Sequence, residues 1–331
     1  MRRSTDPRAS TPDRYREFAE VEARGLSACY EEWAAGVARD PTVLALIDRL
    51  PAAKRQPNLV FSAARFCGAH AGPYSGFARW LPAHWADVEA VCLTHATQTN
   101  EAGRCAALLP ALASLGGPLA LIEVGASAGL CLHPDRYSYR YITEGGADRM
   151  LHPVDGPSTV VLDCAVFGPV PIPGQLPEVV WRAGIDLNPL DVTSASDVDW
   201  LDALIWPEHD DRRARLRAAV DVARRQPVEI VRGDLNAELA ALVARAPSGA
   251  TVVVFHTAVL AYLTETDRDR FAAQLTRLPV RWLANEGQGV VAGVLERLAM
   301  VPPQSSAFVL ALDGEPIALT QPHGRSLHWL A

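Results

Sequence analysis

The stretch LALIEVGASAGL, residues 119–130, brings together residue types that do chemistry. An apolar run ends in Glu123, and Gly125-Ala126-Ser127-Ala128-Gly129 follows at once. Two chemistries use such a loop. G-x-S-x-G is the pattern of a nucleophile elbow, in which a serine on a sharp strand-to-helix turn draws on an acid and a histidine from later in the chain. Ser127, Asp234 or Asp313, and His323 or His328 stand in that order. The alternative is a glycine turn that removes Cβ atoms and exposes backbone N–H groups, so that a nucleotide-like ligand lies against the main chain. The segment after the loop, GLCLH before Pro134, is short for the helix an elbow rests on.

A nucleotide-like ligand needs further acceptors. A carboxylate at the end of the next strand can accept both hydroxyls of a ribose. A carboxylate at the strand end after that can take an adenine amine. Asp186 follows VVWRAG, and Asp234 follows VEIVRG, with Leu235 next to it. His256 stands at the end of another apolar run. It reads as a hydrogen-bonded core histidine, or as a general base beside the reacting group.

Gln98, Thr99, Asn100 and Glu101 form a polar cluster before an apolar helix, which suits a helix cap. With Arg104 one turn later, Gln98 and Asn100 can instead face a substrate carboxylate. Tyr262 and Glu286, each at the end of an apolar stretch, complete the candidate substrate set. Arg136, Tyr137, Tyr139, Arg140 and Tyr141 alternate aromatic and basic residues, as one face of an exposed strand or a lid over a ligand would.

Composition narrows the classes. The chain has 331 residues, 49% hydrophobic and 21% charged, which is ordinary for a globular protein long enough for a core domain and an added module. A net charge of −7 argues against a general nucleic-acid or anionic-membrane binder. No apolar run reaches a membrane span, and the N-terminus lacks the apolar core of a signal peptide. The six cysteines show no CxxC pair and no Cys/His metal spacing, so we expect no metal centre. Buried thiols in a cytoplasmic protein are the expectation, with a small-molecule partner.

The texture of the chain divides near Pro118. Apolar residues at helical spacing predict an all-helical module over residues 1–116, with breaks at Gly72-Pro73, Pro82 and near Pro110. Pro41 fits the first turn of one of these helices. Over residues 117–331, strands alternate with helices, which predicts βαβ units and a parallel sheet. An antiparallel finish around Asp313-Gly314 makes the sheet mixed. Residues 134–178 are rich in Pro and Gly and read as an insertion, with candidate strands YSYRYI and TVVLDCAVF.

IEVGASAGL, VRGDL and VVVFHTAVLAYL together resemble motifs of the class I S-adenosylmethionine-dependent methyltransferases. The resemblance covers about residues 117–331. It implies a Rossmann-like mixed seven-strand sheet, S-adenosylmethionine as cofactor, and methyl transfer to a small molecule. It also implies that Glu123, Gly125, Ser127 and Gly129 line the cofactor, with Asp186 on the ribose and Asp234 and Leu235 at the adenine. If RYSYRYI were the second strand, the ribose acid would be Glu144. FHTAVLAY lacks the Asn/Asp-Pro-Pro-aromatic signature of amine methylation. Over its whole length the chain is similar to the DUF2332 family of uncharacterised bacterial proteins, through KRQPNLVFSAARF, TQTNEAGRCAALLPAL, IEVGASAGLCLHPDRYSYRY, RAGIDLNPLDV and VVFHTAVLAYL.

Overall fold

A computed structural model describes residues 10–298 and 308–330. The N-terminal residues 1–9 of the expected helical module, and residues 299–307 and 331 of the expected second domain, lie outside the described residues. Compactness divides the chain into two units. Among the described residues, one holds 10–99 and 194–216, and the other 100–193, 217–298 and 308–330.

The first unit is helical. It contains α1 (Thr11–Glu17) followed by a π-helical turn, then α2 (Ala28–Val37), α3 (Pro41–Ile47), α4 (Pro57–Phe66) and α5 (Tyr74–Thr94). Local chemistry explains where several of these start. Ser10 accepts a hydrogen bond from the Asp13 N–H at the head of α1, and Asp40 accepts from Thr42 and Val43 just before Pro41. Pro82 does not break α5, contrary to the expected interruption, and the helix runs through it for 21 residues. Proline removes one N–H bond, and the buried Phe77, Leu81, Trp85 and Val88 of the same helix hold it together across that gap. An aromatic cluster forms the core. Phe61 packs edge-on against Tyr15, Trp33 and Phe77, and Trp33 stacks on Phe77 with ring centroids 4.2 Å apart. Helix α7 (Ala195–Ala203) and the first turns of α8 (Asp210–Arg225) belong to this unit.

The second unit is built on a mixed sheet. Helix α6 (Arg104–Ser114) precedes β1 (Leu119–Val124). Strands β2 (Ser138–Thr143), β3 (Arg149–Leu151), β4 (Val161–Phe167) and β5 (Val179–Asp186) follow. The remaining elements are β6 (Glu229–Arg232), α9 (Leu235–Val243), β7 (Thr251–Thr257), α10 (Glu265–Leu275) and β8 (Arg281–Gly287), then β9 (Phe308–Leu312), β10 (Glu315–Thr320) and β11 (Ser326–Trp329). The described sheet has eleven strands, not the expected seven, in the order β3-β2-β4-β11-β10-β9-β8-β7-β1-β5-β6.

The four extra strands have a clear origin. The C-terminal β11 pairs antiparallel with β10 and parallel with β4, so it joins the Pro/Gly-rich region to the main sheet. Residues 134–178 therefore extend the sheet edge through β4, β2 and β3. Pro110 likewise leaves α6 unbroken. Every residue from Cys105 to Leu112 is buried, as in a helix covered on all sides.

Five neighbouring strands, β6, β5, β1, β7 and β8, are all parallel. The chain steps outward from β1 to β5 and β6, then returns to the other side of β1 for β7 and β8. The order therefore reverses beside β1. Every residue of β1 is buried, as expected for a central parallel strand. Ile122, Val124, Ile185 and Val254 pack against Leu239 of α9 and Phe271 and Leu275 of α10. The alternating side chains Leu121 and Glu123 point to the opposite face.

Candidate functional site

The carboxyl ends of β1, β5 and β6 lie side by side at the point where strand order reverses. Ligands of open α/β sheets occupy the crevice at such a point. Glu123 is the next-to-last residue of β1, Asp186 the last of β5, and Asp234 the second residue after β6. Glu123 pairs with Gly184 of β5, so Asp186, two residues further, lies on the same sheet face.

The glycine loop is built by its neighbours. Gly125, Ser127 and Gly129 all have positive φ, at 70°, 52° and 71°. A Cβ on Gly125 would stand 2.5 Å from Val259 Cγ2, and one on Gly129 would stand 3.0 Å from Val228 Cγ2. The glycines thus make room for the protein's own valines. The N–H groups of Gly125 and Ala126 both donate to Ile185 O, at 2.8 and 3.1 Å. Ser127 N–H donates to Asp186 Oδ2 at 2.8 Å, and Leu130 N–H to Asn100 Oδ1 at 2.7 Å. Asp186 Oδ1 also accepts the Asn188 N–H at 2.8 Å. Asp186 and Asn100 are therefore staples that fix the loop. Asp234 is exposed and caps α9 by accepting from Asn236 N–H at 2.9 Å, while Leu235 beside it is buried.

Glu123 is different. It is 2% exposed, and its Oε2 is buried without a hydrogen-bond partner. Burial pushes its carboxyl well above the usual range, the Cys131 and Asp186 side chains add to the rise, and the Arg104 guanidinium opposes it. Arg104 Nη1 donates to both Thr257 O and Thr257 Oγ1 at 2.9 Å, and its Nε is buried without a partner.

His256 sits inside a closed network. Its Nδ1 lies 2.7 Å from Glu286 Oε1, and its Nε2 accepts from Trp282 Nε1 at 2.9 Å. An indole N–H only donates, so the His256 proton must sit on Nδ1 and point at Glu286. Both ring nitrogens are taken, and the side chain is fully buried. The general-base role expected of His256 therefore has no nitrogen left to perform it. The same Glu286 oxygen accepts from the N–H groups of Val259 and Leu260 at 2.8 and 3.1 Å. Glu286 thus organises the loop after β7 through Oε1, while its Oε2 is buried without a hydrogen-bond partner. Tyr262 is exposed beyond that loop, and Gln98 belongs to the helical unit. The alternative ribose acid, Glu144, follows β2 near the far edge of the sheet and far in strand order from the glycine loop.

Sequence reasoning missed the role of the tyrosines. Tyr137, Tyr139 and Tyr141 are all fully buried, not an exposed face or a lid. Their hydroxyls donate to Leu130 O, Pro134 O and Ala106 O at 2.6, 2.6 and 2.9 Å. They anchor the segment behind the glycine loop and tie it to α6. The Y-x-Y-x-Y alternation was visible, but the side it faces was not. Tyr137→Phe is expected to cost about 1 kcal/mol in chemical denaturation. No loss would show that the 2.6 Å bond contributes nothing.

His133 lies behind the same segment. Burial and the nearby Arg182 and Arg136 push it down to about 3. Its folded value lies below the ordinary 6.5, so the stability tied to its neutral form is complete above about pH 6.5 and falls as pH drops toward 3. The difference in stability between His133→Gln and the parent is expected to change with pH across that window. A constant difference there would contradict the buried neutral imidazole.

A family model described as an uncharacterized protein conserved in bacteria (DUF2332) matches residues 12–329. The chain belongs to the DUF2332 family. No curated protein and no solved structure matches this DUF2332 chain. Among its described residues, no helix is long and apolar enough to cross a membrane, and no group of three or more His, Cys, Asp and Glu side chains is placed to hold a metal. All six cysteines are free.

Proposed function

We propose that this DUF2332 protein binds S-adenosylmethionine at the carboxyl ends of β1, β5 and β6 and transfers its methyl group to a small molecule. One observation carries the reading. Three acids stand at the ends of adjacent parallel strands, in chain order, around a positive-φ glycine loop at the reversal of strand order. The order of the five parallel strands supports a Rossmann-like reading of this half of the sheet. Asp186 stands at the end of β5, where a ribose would lie in such a crevice, and exposed Asp234 suits an adenine amine. S-adenosylmethionine would supply the activated methyl group. The chain's own contribution is to align donor and acceptor.

The thermal midpoint in the presence of S-adenosylhomocysteine tests the reading. A ligand that binds only the folded state raises it. We expect an upward shift that Asp234→Ala diminishes. An unchanged midpoint at millimolar ligand would count against the site.

The hydrolase reading keeps one supporting feature, the positive φ of Ser127. The loop leads into a single 3-10 turn over Leu130–Leu132, not the helix an elbow rests on. A fluorophosphonate probe is therefore expected to leave Ser127 unlabelled. Labelling abolished by Ser127→Ala would reverse the choice.

A further inference from the structure

Two buried polar atoms beside the glycine loop have no partner within the protein: Glu123 Oε2 and Arg104 Nε. They belong to one face of the sheet. Glu123 pairs with Phe255 of β7, and Arg104 is anchored on Thr257, two residues further along the same strand and on the same side. The two side chains are close enough for the guanidinium to act on the carboxyl. Burying an unsatisfied carboxyl and an unsatisfied guanidinium N–H costs free energy on both sides. One chemical group can satisfy both atoms if it donates one hydrogen bond and accepts another. A hydroxyl does this. An ammonium group does not, because it has no lone pair to accept the Arg104 N–H and it meets a like charge.

We infer that Glu123 and Arg104 form the acceptor subsite of the proposed methyl transfer, and that the group methylated there is a hydroxyl oxygen. The inference rests on the reading above. Arg104 Nε–H donates to the hydroxyl oxygen, and Glu123 Oε2 receives its proton. An oxygen lone pair forms the new bond to the methyl carbon as the carbon–sulfur bond of the sulfonium breaks, its electron pair returning to sulfur. The hydroxyl proton ends on Glu123, so charge and atoms balance. Glu123 is then the catalytic base, a task His256 has no free nitrogen to perform. A buried carboxylate with raised proton affinity suits the task better than an exposed one. The groups that bear on it are Arg104 from α6, Cys131 after the glycine loop, Asp186 from β5, and Tyr137.

The test uses phenol as the hydroxyl probe, with toluene and benzylamine as controls, titrated by saturation-transfer NMR into the full chain with S-adenosylhomocysteine present. Phenol is expected to bind about tenfold more tightly than either control, the worth of one charge-assisted hydrogen bond. Its affinity should fall as pH is lowered and Glu123 takes up a proton. Glu123→Gln should abolish that pH dependence, and Arg104→Lys should remove most of the preference for phenol over toluene. Circular dichroism and cooperative urea denaturation report that each variant folds. Preference for benzylamine, or a phenol affinity whose pH dependence survives Glu123→Gln, overturns the inference. Failure of S-adenosylhomocysteine to bind the parent overturns the cofactor reading instead, and phenol titrated alone then judges the hydroxyl subsite by the same three comparisons.

Discussion

Glu286→Ala is expected to destabilise the sheet unit by about 3 kcal/mol or more, since each buried donor left unsatisfied costs about 1–3 kcal/mol. A single oxygen of Glu286 receives the His256 ring proton and the Val259 and Leu260 N–H groups, and the residue is 1% exposed. Alanine would leave three donors, two of them buried and one part-buried, with nothing to receive them. The effect would reach the candidate site, because Val259 is the residue packed over Gly125. Glu286→Gln keeps an acceptor oxygen and should recover most of the loss. Its amide nitrogen would take the place of Oε2, which has no hydrogen-bond partner in the parent. Urea denaturation of the parent and both variants checks this. Equal losses for Ala and Gln would mean that bulk, not hydrogen bonding, is what the position supplies.

Gly125→Ala is expected to cost about 2–5 kcal/mol. Adopting positive φ costs an L-residue roughly 1–2 kcal/mol, and overpacking adds about 1–3 kcal/mol. Both apply, since φ is +70° and the new Cβ would lie 2.5 Å from Val259 Cγ2. The two parts separate in a double-mutant cycle. Val259→Ala made together with Gly125→Ala removes the clash but leaves the backbone strain, so the pair should be more stable than the two single losses added. Strict additivity would show that Val259 is not what the glycine accommodates. Gly129→Ala meets Val228 at 3.0 Å and should be milder.

These two residues show what the sequence could and could not convey. The glycines announced a tight turn after a buried strand, and the turn is there. Their reason was hidden, because Val259 and Val228 are about a hundred residues or more away in the chain and only folding brings them to the loop. The acids at the ends of β1, β5 and β6 were legible because a strand end is a local pattern. What each acid does was not, since Asp186 staples the Ser127 N–H across 59 residues and Arg104 reaches Thr257 across 153. The parallel core was legible from alternating strands and helices. The strand count was not, because β11 and β4 pair across more than 150 residues and β3 has only three residues, too short to leave a periodic signal. His256 shows the same limit. Its position at a strand end suited a base, and only the geometry of Glu286 and Trp282 reveals that both nitrogens are engaged.

Isothermal titration of the full chain with S-adenosylmethionine, beside Asp234→Ala, tests the central claim most directly. Asp234 is exposed and caps one helix, so its removal should cost only about 1 kcal/mol of stability and leave the fold intact. The account predicts one site with a dissociation constant on the order of 1–10 μM. It predicts that Asp234→Ala weakens binding at least about tenfold, through the lost hydrogen bond from the adenine amine. Absence of binding to the folded parent protein would contradict it.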